Sequence, residues 1–249
     1  MDAARSMFAG LCTVGFFARL SYSLARTPVI PLFAASFGVG PEAVGFAVAL
    51  STVTGIFFKM PAGVLSDVIG RTHTLLLGLA VFAVIPFAYL WVSSFEMLVA
   101  VRFLHGFATA IYGPVSMAVI VSAAGDRRAE LLSRFSSVTI VGNLVGAPLG
   151  GFLLTRLSGD SEPNLVHFHT VYGVVAGFGM VALLLALWLL HGQATVGEAS
   201  NTKTLTAVFS QFRTAVREIV FGGCCSPAAW RAFKILRLVP WRRSFRSMR

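Results

Sequence analysis

Three arginines, Arg19, Arg26 and Arg102, stand inside long apolar stretches of this sequence. A guanidinium at the centre of a bilayer costs about 2.5–3.5 kcal/mol even on insertion scales, so such residues are functional by default. Arg19, Tyr22 and Arg26 follow one another at intervals of three and four, which puts all three on one face of a helix. His105 lies three residues beyond Arg102 and can share its face, although a lone histidine is more often a hydrogen-bonded structural residue. No Asp or Glu falls inside these stretches. The arginines therefore need a counter-ion: an anionic solute, a carboxylate from another helix bundle, or chloride. Arg102, a few residues from the end of its stretch, has the alternative of snorkelling to the interface. Asp67 and Arg71, four apart, are spaced to form an ion pair. His167 and His169 could touch a metal, but two histidines without further ligands are ordinarily solvated, and no metal site is expected. No nucleophile elbow, phosphate loop or metal-ligand spacing occurs, which argues against an enzyme.

The elements that must position these residues are membrane helices. The 249 residues are 56% hydrophobic and 12% charged, where a soluble domain carries about 25% charged residues. The apolar residues fall in blocks of the roughly 20 residues that a helix needs to cross a bilayer. Backbone polar groups in lipid need internal partners, so the blocks read as helices, and no alternating ten-residue pattern suggests a barrel. Six spans are predicted, at approximately Met7–Phe33, Ala43–Ala62, His73–Val92, Met97–Val121, Leu132–Leu157 and Phe168–His191. The first continues through Arg19 and Arg26 and has no small-residue cleavage site, so it reads as a retained span.

Flanking charge sets the expected orientation. With the amino terminus inside, Arg5, Lys59, Arg71, Arg127, Arg128, Arg134 and ten residues of the tail, 16 of the 20 bases, face the cytoplasm. Only Arg156 lies in an outer loop. The positive-inside rule then places both termini in the cytoplasm, in a plasma (inner) membrane. Residues 193–249 read as a basic cytoplasmic tail, partly disordered, with a possible surface helix near 207–220. Its charge, without any zinc-finger, helix-turn-helix or RNA-binding signature, points to anionic lipid rather than nucleic acid. Cys12, Cys224 and Cys225 form no disulfide framework, and the adjacent pair is a candidate for palmitoylation in a eukaryote.

Three motifs carry a resemblance. Gly63-Val-Leu-Ser-Asp67-Val-Ile-Gly70-Arg71 resembles the signature loop between the second and third helices of the major facilitator superfamily. There Gly63 would permit close helix approach and Gly70 a tight turn. Val68 and Thr72 stand where the family usually has a base. The run from Arg102 through His105 and Gly106 to Ala110 resembles the family's fourth-helix motif. Gly142, Gly146, Pro148 and Gly150 resemble the fifth-helix motif of its proton-driven exporters, with Ala147 inserted before the proline. The glycines at i, i+4 and i+8 offer a close-packing face, and Pro148 is expected to kink the rod.

The resemblance covers residues 7–192 and implies an all-α, six-helix half of a major facilitator, built as two inverted three-helix repeats. It implies that Arg19, Tyr22, Arg26, Arg102, His105 and Asn143 line a solute path. It makes Gly63, Asp67, Gly70, Arg71 and Asp126 a cytoplasmic gate, in which Arg71 pairs with one or both acids. The function implied is secondary transport of a small solute by alternating access, as an efflux antiporter coupled to protons and without a cofactor. Alternatives are uptake or exchange of an organic anion, and a non-transporting truncated protein or modulatory subunit. A half-length chain would need a homodimer, or a missing carboxy-terminal half, to complete it.

Overall fold

The computed structural model describes residues 2–190, leaving out the side chains of residues 2–5 and 123. The expected tail, with its surface helix and adjacent cysteines, lies outside the described residues. Among the described residues there are seven α-helices: α1 (Asp2–Arg26), α2 (Val29–Ala35), α3 (Pro41–Ile69), α4 (Arg71–Ala88), α5 (Phe95–Ala123), α6 (Arg128–Ser158) and α7 (Leu165–Leu190). Short 3₁₀ turns at Tyr89–Trp91 and Gly125–Arg127 link α4 to α5 and α5 to α6. No strand occurs among the described residues. Together α1 and α2 make one apolar span, so six spans of 21 to 34 residues result, each long enough to cross a bilayer.

Local sequence explains the breaks. Pro28 has no N–H to continue the α1 ladder, so α1 ends at Arg26 and helix resumes at Val29 with Pro28 as its cap. The expected loop between the second and third spans is instead almost wholly helical. α3 runs seven residues past the predicted end at Ala62, and α4 begins at Arg71, leaving only Gly70 between them. Gly70 has φ 91° and ψ 148°, a conformation that side-chain-bearing residues rarely adopt, so the turn requires glycine here.

The helices pair in a pattern that survives exchange of the chain's two halves. α1 packs on α6 as α5 packs on α3; α1 packs on α7 as α5 packs on α4; α4 and α7 pack on each other. Exchanging the first three spans for the last three maps each pair onto another or onto itself, as two inverted three-helix repeats demand.

Helix association in lipid relies on close van der Waals packing through small residues. α6 presents Gly142, Gly146 and Gly150 to the main-chain carbonyls of Phe16, Leu20 and Leu24 on α1. The symmetry-related pair uses the same device, with Gly106 of α5 against the carbonyl of Ser51 on α3. Pro148 lies within α6 on its exposed side. Two apolar clusters fill the interior, one around Leu79, Phe82, Tyr112 and Val119, the other around Phe33, Leu98, Phe168 and Tyr172.

Candidate solute cleft

A cleft of about 470 Å³ opens between α1, α3 and α5. The α1 face predicted from spacing is its wall: Arg19, Tyr22 and Arg26 all line it. Arg26 is held in place from two sides. Its Nη2 donates to Thr52 Oγ1 at 3.2 Å, and its guanidinium carbon stands 5.9 Å from the centre of the Tyr22 ring, within the range of a cation–π contact. Opposite, α3 contributes Thr52 and Lys59, and α5 contributes Thr109. Lys59, counted from sequence only among the bases at the cytoplasmic side of the second span, was not expected on the solute path. It stands ten residues inside the end of α3 at Ile69 and lines the cleft. Gly113 and Pro114, also on the wall, carried no signal that sequence could have separated from helix packing.

Arg102 and His105 do not line this cleft, contrary to expectation. Arg102 is fully buried at 0% exposure, behind the wall. Its Nε donates to the Ala47 carbonyl at 3.1 Å and its Nη2 to the Val48 carbonyl at 3.0 Å and to Ser51 Oγ. Snorkelling is equally excluded. Through Nε and Nη2 the guanidinium is a clamp between α5 and α3, while its buried Nη1 has no hydrogen-bond partner among the described residues. His105, also buried, shares a hydrogen bond between its Nδ1 and the Tyr89 hydroxyl at 3.1 Å. Its ring meets Tyr22 edge-on at 5.5 Å. Tyr89 in turn stacks on Tyr172, with centroids 4.0 Å apart and planes 4° from parallel, and Tyr172 donates to the Ala25 carbonyl at 3.0 Å. The histidine belongs to this aromatic core. One edge of its ring contact, Tyr22, also lines the cleft, so the core buttresses the wall.

Asn143 likewise serves packing: its main-chain carbonyl accepts from Ser23 Oγ at 2.7 Å where α6 crosses α1, and its side chain is not part of the wall. In the expected gate, Arg71 Nη1 donates to the Ala118 carbonyl of α5 at 3.4 Å. Asp126 is exposed and makes no ion pair among the described residues, so the expected Arg71–Asp126 pair is not formed. Glu130 pairs with Arg127 at 2.8 Å and with Arg134 at 2.7 Å. Asp67 is exposed near the end of α3. Gly63 makes no close approach either: a Cβ built there meets nothing within 4 Å.

Residues 11–247 match the Major Facilitator Superfamily, described under that name, and the chain belongs to it. Over 196 residues it is 25% identical to the multidrug resistance protein MdtM of Salmonella typhimurium, covering 78% of this chain and 44% of that one. Over 156 residues it is 30% identical to the multidrug transporter MdfA of Yersinia pestis, covering 62% and 38%. The chain thus spans less than half the length of these relatives. Among solved structures, a peptide transporter POT in complex with sulfate superposes with a TM-score of 0.63 at 16% identity, covering 94% of this chain and 46% of that one. The inward-open xylose transporter XylE from E. coli gives 0.61 at 15%, covering 97% and 57%. At such identities the structural likeness bears on the fold. The protein is an integral membrane protein of a transporter superfamily, with the six-helix architecture of half a major facilitator.

Proposed function

We propose that this chain forms one wall of an alternating-access path for a small solute, working as an exporter with protons as the coupling ion. The observation that carries the reading is the cleft itself, a depression lined by Arg19, Arg26 and Lys59 on helices otherwise built for lipid. A charged wall facing hydrocarbon is costly. A second six-helix bundle across the cleft removes that cost, whether it comes from a second copy of this chain or from another polypeptide segment. The export direction rests on the names of the relatives, a multidrug resistance protein and a multidrug transporter. Proton coupling rests on the glycine pattern of α6 and its similarity to that of proton-driven exporters.

The test is transport in reconstituted vesicles under an imposed proton gradient, with ethidium and fluorescein as a cationic and an anionic probe, alongside mass measurement in mild detergent. Gly113→Leu is the control. A Cβ at 113 meets nothing within 4 Å, so the larger side chain enters the cleft without striking backbone. Gradient-dependent movement by an oligomer, lost in Gly113→Leu, is expected. Movement by a strictly monomeric species would overturn the two-wall architecture.

A further inference from the structure

We infer that the cleft takes an organic anion, a carboxylate- or phosphate-bearing solute with an apolar body; the inference rests on the cleft being the solute site. Three cations converge on it, Arg19 and Arg26 from α1 and Lys59 from α3, and no carboxylate is among the lining residues. Glu130, which pairs with Arg127 and Arg134, is not part of the wall. The neutral groups nearest the cations are Tyr22, Thr52 and Thr109, which temper the field of a cation without cancelling its charge. A concave, low-dielectric wall carrying one sign of charge concentrates solutes of the opposite sign.

The geometry also favours an oxyanion over a halide. Thr52 and the Tyr22 ring fix Arg26 using a single donor, so the rest of its fork is left to grip a carboxylate or phosphate through paired hydrogen bonds. Lys59, on the opposite wall, adds a movable point charge. Ile56 and Met117 supply apolar surface beside these heads. A volume of 470 Å³ holds a ring-sized body and is far larger than chloride needs. This chemistry runs against that of a site built for lipophilic cations, which would need acids or bare aromatic faces where this cleft has bases.

Binding to the full chain in a neutral detergent separates the possibilities, with three probes: naphthalene-2,6-dicarboxylate, its uncharged diamide of matched bulk, and the lipophilic cation tetraphenylphosphonium. The dicarboxylate is expected to bind roughly tenfold tighter than the diamide, and more weakly as salt rises. Arg26→Gln and Lys59→Met should each weaken it roughly tenfold, Lys59→Arg should retain it, and Gly113→Leu should abolish it. Repeating the titration in bilayer discs of phosphatidylcholine, with and without phosphatidylglycerol, tests the other source of anionic groups. Unchanged binding supports a soluble anion, whereas displacement by phosphatidylglycerol assigns the cations to a lipid headgroup and overturns the proposal. Preference for tetraphenylphosphonium, lost in Gly113→Leu, overturns the anion class but keeps the cleft as the solute site. Equal binding of dicarboxylate and diamide does the same. Failure of all three probes overturns both.

Discussion

Gly146 of α6 lies so close to Leu20 of α1 that a Cβ at 146 would stand 2.6 Å from the Leu20 carbonyl oxygen. Gly142 and Gly150 repeat the contact one turn either side, at 2.7 Å from the Phe16 oxygen and 2.5 Å from that of Leu24. The obstructing atoms are backbone, which cannot swing away. Gly146→Ala should therefore cost about 1–3 kcal/mol, the usual range for overpacking. Gly63→Ala, where a Cβ meets nothing, should be close to neutral. Unfolding midpoints in detergent compare the two, and equal midpoints would refute the packing role.

The arginine buried in α5 invites a different prediction from the ones on the cleft. Arg102 spends its donors on Ala47, Val48 and Ser51, and hydrogen bonds from a charged donor contribute about 1.5–3 kcal/mol each. Arg102→Lys keeps the charge but loses the fork, so it should destabilise the fold by at least one such bond. Probe affinity per folded molecule should be unchanged. A variant of normal stability that has lost probe binding would return Arg102 to the solute path.

Orientation is open to a direct check. Ser133 and Ser161 are both exposed, near opposite ends of α6. In a background with Cys12, Cys224 and Cys225 replaced by serine, Ser161→Cys should react with an impermeant thiol reagent in intact cells and Ser133→Cys should resist it. The reverse labelling would invert the charge-based assignment. Ser66 is unsuitable for this purpose because it is buried.

The span count, the glycine face of α6 and the Arg19–Tyr22–Arg26 wall were all legible beforehand. Each is written in periodicity on a single helix, and the helix keeps its period in any context. What stayed hidden depends on a partner helix. A cation in an apolar stretch signals that something must satisfy it, and the carbonyls of Ala47 and Val48 leave no mark in side-chain sequence. The full length of α3 stayed hidden for a related reason: a span judged by apolar residues ends where polar ones appear, but α3 continues as helix past Ala62, through Gly63 and Asp67, to Ile69. Asp126 failed as a partner for Arg71 because a main-chain carbonyl at Ala118 reached the guanidinium instead.

The wall of the cleft draws on α1, α3 and α5 alone; α4, α6 and α7 contribute nothing to it. The cleft-lining helices also carry packing, α1 against α6 and α3 against α5, through other residues. Selection acting on what the cleft accepts and selection for folding thus fall largely on different residues of the same helices. A lineage carrying this architecture can exchange Thr52, Lys59 or Thr109 and acquire a new cargo while its scaffold stays untouched, a partition that frees solute preference to diversify faster than shape.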